Sequence, residues 1–117
     1  MAQKDERGRA GEELAALHLA DAGLTVVDRN WRCPQGELDI VAIDGDELVV
    51  VEVKTRRTTG YGHPFDAIDD RKRDRLWRLA HAWRAAHADQ QLPKRVRVDV
   101  VGVVGPGDGL EHWRDLR

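Results

Sequence analysis

Asp39, Glu52 and Lys54 are the residues of this chain whose types and spacing could do chemistry together. They stand in Gly36-Glu37-Leu38-Asp39 and Glu52-Val53-Lys54, an acid on one apolar run and an E-x-K on the next, with a turn between them. Paired carboxylates suit a hard divalent cation such as Mg²⁺, which takes carboxylate and carbonyl oxygens plus waters and works on phosphate substrates. A lysine two residues on adds a point charge for a phosphate or an attacking hydroxide. Together they form the minimal set for hydrolysing a phosphodiester bond.

The acids meet only if the strands pair correctly. Leu38 to Ile43 and Leu48 to Val53 are β-branched runs flanking Asp44-Gly45-Asp46, the strongest hairpin signal in the chain. Alternation puts Glu37, Asp39, Val41 and Ile43 on one face, with Leu38, Ile40 and Ala42 on the other. On the second strand Leu48, Val50, Glu52 and Lys54 share a face. A type II′ turn at Gly45-Asp46 pairs Asp39 with Glu52. A type I′ turn at Asp44-Gly45 pairs Asp39 with Val50 and leaves Glu52 diagonal on the same face. A one-residue slip would part them. Like charges directly opposite destabilise a sheet, so two acids in otherwise apolar strands need an explanation, and a bound cation supplies one. The competing reading is a solvent-facing, salt-bridged stripe.

The flanking elements follow from local signals. Gly8 to Ala22 is rich in Ala, Leu and Glu, and Gly23 suits the position just past a helix. Leu24 to Trp31 reads as a first strand, and Cys33-Pro34-Gln35-Gly36 as a turn. Gly60, Gly62 and Pro64 mark an exposed loop. Asp69 is a good N-cap for a second helix to about Ala88. Val96 to Val104 is a last clear strand, and the tail through Trp113 is either an edge strand or a docked segment. The order helix, three strands, helix, strand predicts one α/β domain over residues 1–117.

On a helical wheel Glu12 falls with Gly8, Ala15, Ala16 and Leu19, and Glu13 with Leu17 and Ala20; periodicity does not choose between the two acids. In the second helix Leu76, Leu79, Ala80, Trp83 and His87 make the apolar stripe. Arg71, Arg75 and Arg78 lie opposite, while Lys72 sits on the stripe's edge and should lean toward the sheet. Asp99 is either a strand residue near the site or solvent-facing. His18, His63, His81, His87 and His112 show no metal spacing and read as structural or surface. The four tryptophans read as core or core-edge.

The formal net charge of -2 counts against non-specific nucleic-acid binding through global charge, but two basic patches stand out. One is Lys54-Thr55-Arg56-Arg57 and the other Arg71, Lys72, Arg73, Arg75 and Arg78. No run approaches a membrane span, and no secretory leader is visible. The lone Cys33 excludes an internal disulfide framework, so a cytoplasmic location is expected.

Gly8-Arg9-Ala10-Gly11-Glu12, Ala15, Gly36 to Ala42 and Val51-Glu52-Val53-Lys54-Thr55-Arg56 together resemble the YraN-like family of small bacterial proteins. That family is placed in the PD-(D/E)XK nuclease superfamily and is similar to archaeal Holliday-junction resolvases. The resemblance runs from about Gly8 to Asp99 and is strongest at the two central motifs. Leu38 precedes Asp39, so the literal Pro-Asp is absent. The fold it implies is an α/β restriction-endonuclease-like core, a mixed central sheet flanked by helices.

The resemblance implies that Asp39 and Glu52 ligate Mg²⁺ or Mn²⁺, with the Val53 carbonyl as a third protein ligand. It implies that Lys54 orients or activates the attacking water, that Glu12 is the first-helix acid of the site, and that Lys72 is an auxiliary or phosphate contact. Arg56, Arg57, Arg71, Arg75 and Arg78 would then hold backbone phosphates of DNA without reading sequence. The expected activity is a metal-dependent DNA endonuclease; action on a four-way junction would require a homodimer with two sites. The rival readings are a non-catalytic nucleic-acid binding module of the same fold, and a protein–protein adaptor.

Overall fold

The computed structural model describes residues 6–56, 69–105 and 109–116. Its elements run α1 (Glu6–Asp21), β1 (Thr25–Cys33), β2 (Gly36–Asp44), β3 (Glu47–Arg56), α2 (Asp70–Ala86), β4 (Arg95–Val104) and β5 (Leu110–Trp113). The loop expected around Gly60 to Pro64 lies outside the described residues, as do Arg57 and His63.

Both helices stop and start where local chemistry requires. Gly23 takes φ +96° just past α1, and the Gly23 and Leu24 N–H groups bond back to the Ala20 and Leu19 carbonyls. This is the paired closure that a left-handed glycine makes available to orphan carbonyls. At α2 the Asp69 carboxylate accepts the Lys72 N–H at 2.8 Å, satisfying one of the first-turn donors.

The sheet is mixed, in the order β1-β2-β3-β4-β5. All neighbours are antiparallel except β3 and β4, which α2 joins as a parallel crossover. The undecided tail forms β5 on the edge of β4, and the Leu116 N–H donates to the Val98 carbonyl beyond it. Helices cover both faces. Ala15 and Leu19 of α1 pack with Ile40, Ala42, Val49, Val51 and Val101; Leu76, Leu79 and Trp83 of α2 pack with Val41, Leu48, Val50 and Val98.

The central turn is the one that brings the acids closest. Asp44 pairs with Glu47 and Ile43 with Leu48, so Gly45 and Asp46 form the loop. Gly45 has φ +60° and Asp46 does not share it, which fits a type II′ turn. The register runs to Ile40↔Val51 and puts Asp39 next, beside Glu52.

One expectation of strict alternation fails at Asp39. Leu38 packs on the α2 side and Ile40 on the α1 side, although the two were expected to share a face. The break lies opposite Asn30, whose φ of +54° interrupts β1 between the pairs Arg29↔Ile40 and Trp31↔Leu38. A left-handed residue turns the strand, and its partner follows.

Candidate metal and phosphate site

The site lies where β2 and β3 part. Beyond Ile40↔Val51 the ladder gives way to a side chain, with the Val53 N–H donating to Asp39 Oδ2 at 2.8 Å. Asp39 therefore sits in the fork between the strands, buried, its carboxylate fixed by backbone. Glu52 follows Leu48 and Val50 on the α2 face. Its Oε1 lies 3.2 Å from Lys72 Nζ and 3.6 Å from Lys54 Nζ.

Charge is held here under tension. Burial pushes the Glu52 carboxyl above its ordinary range, the Asp39 charge pushes it the same way, and Lys72 and Lys54 offset part of both. Burial likewise lowers the Lys54 ammonium, and its contact with Lys72 adds to the effect, while Glu52 opposes it. Two acids and two lysines thus share one partly desolvated corner.

The donor set suits a hard divalent cation. Asp39 and Glu52 offer carboxylate oxygens and the Val53 carbonyl is adjacent, all of the oxygen type Mg²⁺ and Mn²⁺ accept. The mutual repulsion of the acids is the term that a bound cation would relieve. Among the described residues no group of three or more His, Cys, Asp or Glu side chains is gathered as a metal cluster. The third acid of the sequence reading, Glu12, is not part of such a group.

Glu12 is nonetheless buried, in the turn of α1 that meets Thr55 of β3. Gly11 beside it rests on Thr55, with no room for a side chain between them. The structure separates the two acids that periodicity left open: Glu13 is exposed and pairs with Arg29 at 2.9 Å.

The basic residues divide by location. Arg56 continues the row of Glu52 and Lys54, and its Nε is buried with no hydrogen-bond partner among the described residues. Arg71, Lys72, Arg75 and Arg78, with Asp69, line a hollow of about 310 Å³ on α2. Arg71, Arg75 and Arg78 are exposed, whereas Lys72 leans to the sheet as its place on the stripe requires.

A second polar cluster escaped the sequence reading. Asp99 is fully buried rather than solvent-facing, and its row of β4 faces α1, the side opposite Glu52. Arg97 reaches it through Nε at 2.9 Å and Nη2 at 3.1 Å, and also meets Asp44 and Glu47. His112 Nε2 lies 2.8 Å from Asp99 Oδ2, and His112 Nδ1 lies 3.1 Å from His18 Nε2. Burial opposes the charges, but the pairing outweighs it. Asp99 is held below the ordinary carboxylate range and Arg97 above its own. Two charged residues alternating inside the valine run Val96 to Val104 were the available signal. They share one strand face, which an apolar core does not accept without partners.

The sequence profile described as "Uncharacterised protein family UPF0102" matches residues 11–103, from within α1 to the last residue but one of β4. The chain belongs to this family. Its relatives include a UPF0102 protein of Arthrobacter sp. (strain FB24), 55% identical with 99% of each chain covered. One from Streptomyces griseus is 55% identical with 93% of each covered, and one from Clavibacter michiganensis is 50% identical over 93% of this chain and 91% of its own. The matched span of UPF0102 contains Glu12, Asp39, Glu52, Lys54 and the whole basic face of α2. No helix among the described residues is long and apolar enough to cross a membrane.

Proposed function

We propose that this protein is a metal-dependent endonuclease that hydrolyses phosphodiester bonds of DNA, branched or otherwise structured DNA included, on a restriction-endonuclease-like core. The observation that carries the reading is the Glu52 carboxylate. It is desolvated, repelled by Asp39, and shared by two ammonium groups within 3.6 Å.

Asp39, Glu52 and the Val53 carbonyl would hold Mg²⁺ or Mn²⁺. The ion, when bound, supplies a Lewis acid at the phosphate and a water of lowered pKa. Asp39 is held in place by the Val53 N–H, so the acid is pre-oriented and need not be ordered on binding. Lys54 places a cation beside the carboxylates, where it can orient the attacking water and stabilise the charge that builds on the phosphoryl oxygens. Arg56 and the α2 row of Arg71, Lys72, Arg75 and Arg78 offer cations to the flanking phosphates, which positions a strand without reading its sequence. Glu12 is the buried acid of α1 on this reading, next to the Gly11 contact with Thr55 of β3.

The test is cleavage of duplex, flap, single-stranded and four-way-junction DNA in Mg²⁺ or Mn²⁺, with Glu52→Ala alongside. Metal-dependent cutting that disappears in Glu52→Ala is the expected outcome. Retained DNA binding with no cutting on any substrate would overturn the enzymatic reading.

A further inference from the structure

Lys72 belongs to two places at once. Its ammonium lies 3.2 Å from Glu52 Oε1, and its side chain also lines the hollow formed with Arg71, Arg75 and Arg78. The three arginines are exposed and form no ion pair among the described residues. They recur along one side of α2 with Asp74 as the acid among them, so three arginines three and four residues apart leave that side net positive. Arg71 and Lys72 also sit in the first turn, against the positive end of the helix dipole. A phosphate-bearing polyanion is the ligand that relieves all of these.

On the other side of Lys72, Glu52 has more cationic partners than one carboxylate oxygen needs. Lys54 and Lys72 both address Oε1. Lys54 is fixed on β3 next to the acid, two residues along the same strand face. Lys72 comes from the helix on a four-carbon stem, so it can pivot without moving backbone.

We infer that Lys72 is a positioning residue that couples nucleic-acid binding to metal binding: it occupies Glu52 in the absence of substrate and is drawn to a backbone phosphate in the α2 hollow when DNA binds, releasing the carboxylate for a divalent cation. This rests on the reading of Asp39 and Glu52 as the metal ligands. One ammonium cannot serve both anions, so phosphate in the hollow and a cation on Glu52 favour each other. Linkage makes the effect reciprocal, and couplings of this type amount to about tenfold. Metal loading without substrate is correspondingly weak, which keeps an unguarded hydrolytic site from forming away from DNA.

The experiment is Mn²⁺ titration by calorimetry on the full chain, with and without a phosphorothioate-linked duplex that resists hydrolysis. Wild type, Lys72→Gln and Glu52→Gln are compared, with thermal unfolding to establish that each is folded. The duplex should tighten Mn²⁺ about tenfold in wild type. Lys72→Gln should bind Mn²⁺ without duplex nearly as tightly as wild type does with it, and the duplex should then add little. A variant damaged in structure would lose metal affinity, not gain it. Equal coupling in wild type and Lys72→Gln, or weaker Mn²⁺ binding in Lys72→Gln, overturns the inference. Mn²⁺ binding that is abolished in Glu52→Gln but indifferent to the duplex overturns it while leaving the metal site standing. Absence of Mn²⁺ binding in wild type, with or without duplex, removes the metal site itself and the coupling with it.

Discussion

Asp99 and His112 are joined at 2.8 Å, Oδ2 to Nε2, across the β4–β5 pair, and this bond anchors the last strand to the buried charge of the sheet. The same carboxylate takes the Asp115 N–H at 2.9 Å and both sides of the Arg97 guanidinium. Four groups from three stretches of chain thus depend on one side chain with no solvent exposure.

Asp99→Asn should therefore destabilise the fold by about 3 kcal/mol, since Arg97 loses its fully buried counter-charge and keeps only the more exposed Asp44 and Glu47. The Asp99 carboxyl is held below its ordinary value of 3.8. Its stabilising contribution is present above that pH and disappears as pH falls through the lower, folded value. Urea unfolding of wild type and variant should show a wide gap at pH 7 that narrows only in strong acid. A gap that is small at pH 7 would mean that water replaces the Asp99 contacts.

Glu52 has the opposite sign. Its folded carboxyl titrates above the ordinary 4.5, so the folded chain carries a penalty once Glu52 ionises. Glu52→Gln should stabilise the metal-free protein at pH 7 to 8. That advantage should shrink as pH falls through the folded value and be gone near 4.5. Thermal unfolding across pH reads it directly. A Gln variant less stable at neutral pH would show that the two lysines outweigh burial and the repulsion from Asp39 together.

The sequence made the site's geometry legible because its determinants are local. Asp44-Gly45-Asp46 announced the hairpin but left two turns open, of which Gly45-Asp46 is adopted; Asp69 caps α2, and Lys72's place on the wheel turns it toward the sheet, where it meets Glu52. The His18–His112 contact was not legible, since its partners stand 94 positions apart and only the closed sheet brings them together. Nor was the reversal at Asp39, which depends on Asn30 adopting a left-handed φ that its neighbours do not announce. Glu12 was a matter of which helix face meets the sheet, and close packing at Gly11 decides it.

Lys54→Met should retain Mn²⁺ affinity, because both carboxylates remain, and should lower cleavage about a hundredfold, the cost of losing one charge-stabilising donor. Paired calorimetry and gel-based cleavage separate the two effects. A parallel loss of Mn²⁺ binding would assign the lysine to holding the carboxylates rather than to the phosphate.

Gly11→Ala should cost about 1–3 kcal/mol, since the new methyl runs into the Thr55 hydroxyl and methyl groups. Thr55→Ala in the same chain should recover part of that loss. Chemical denaturation of the two single variants and the double variant measures the coupling, and additive losses would show that α1 shifts to make room.

The short strand β5 has a consequence for solubility. Of the sheet's two borders, β1 is interrupted by a bulge between Val26 and Asp28 and by Asn30, so it offers no regular row of hydrogen-bonding groups to a foreign chain. The other border would be β4, a valine-rich strand in unbroken register with β3, if Leu110 to Trp113 did not lie along it. Those few residues act as a cover over an apolar strand suited to seeding aggregates. Their detachment would turn a paired strand into a template for stacking.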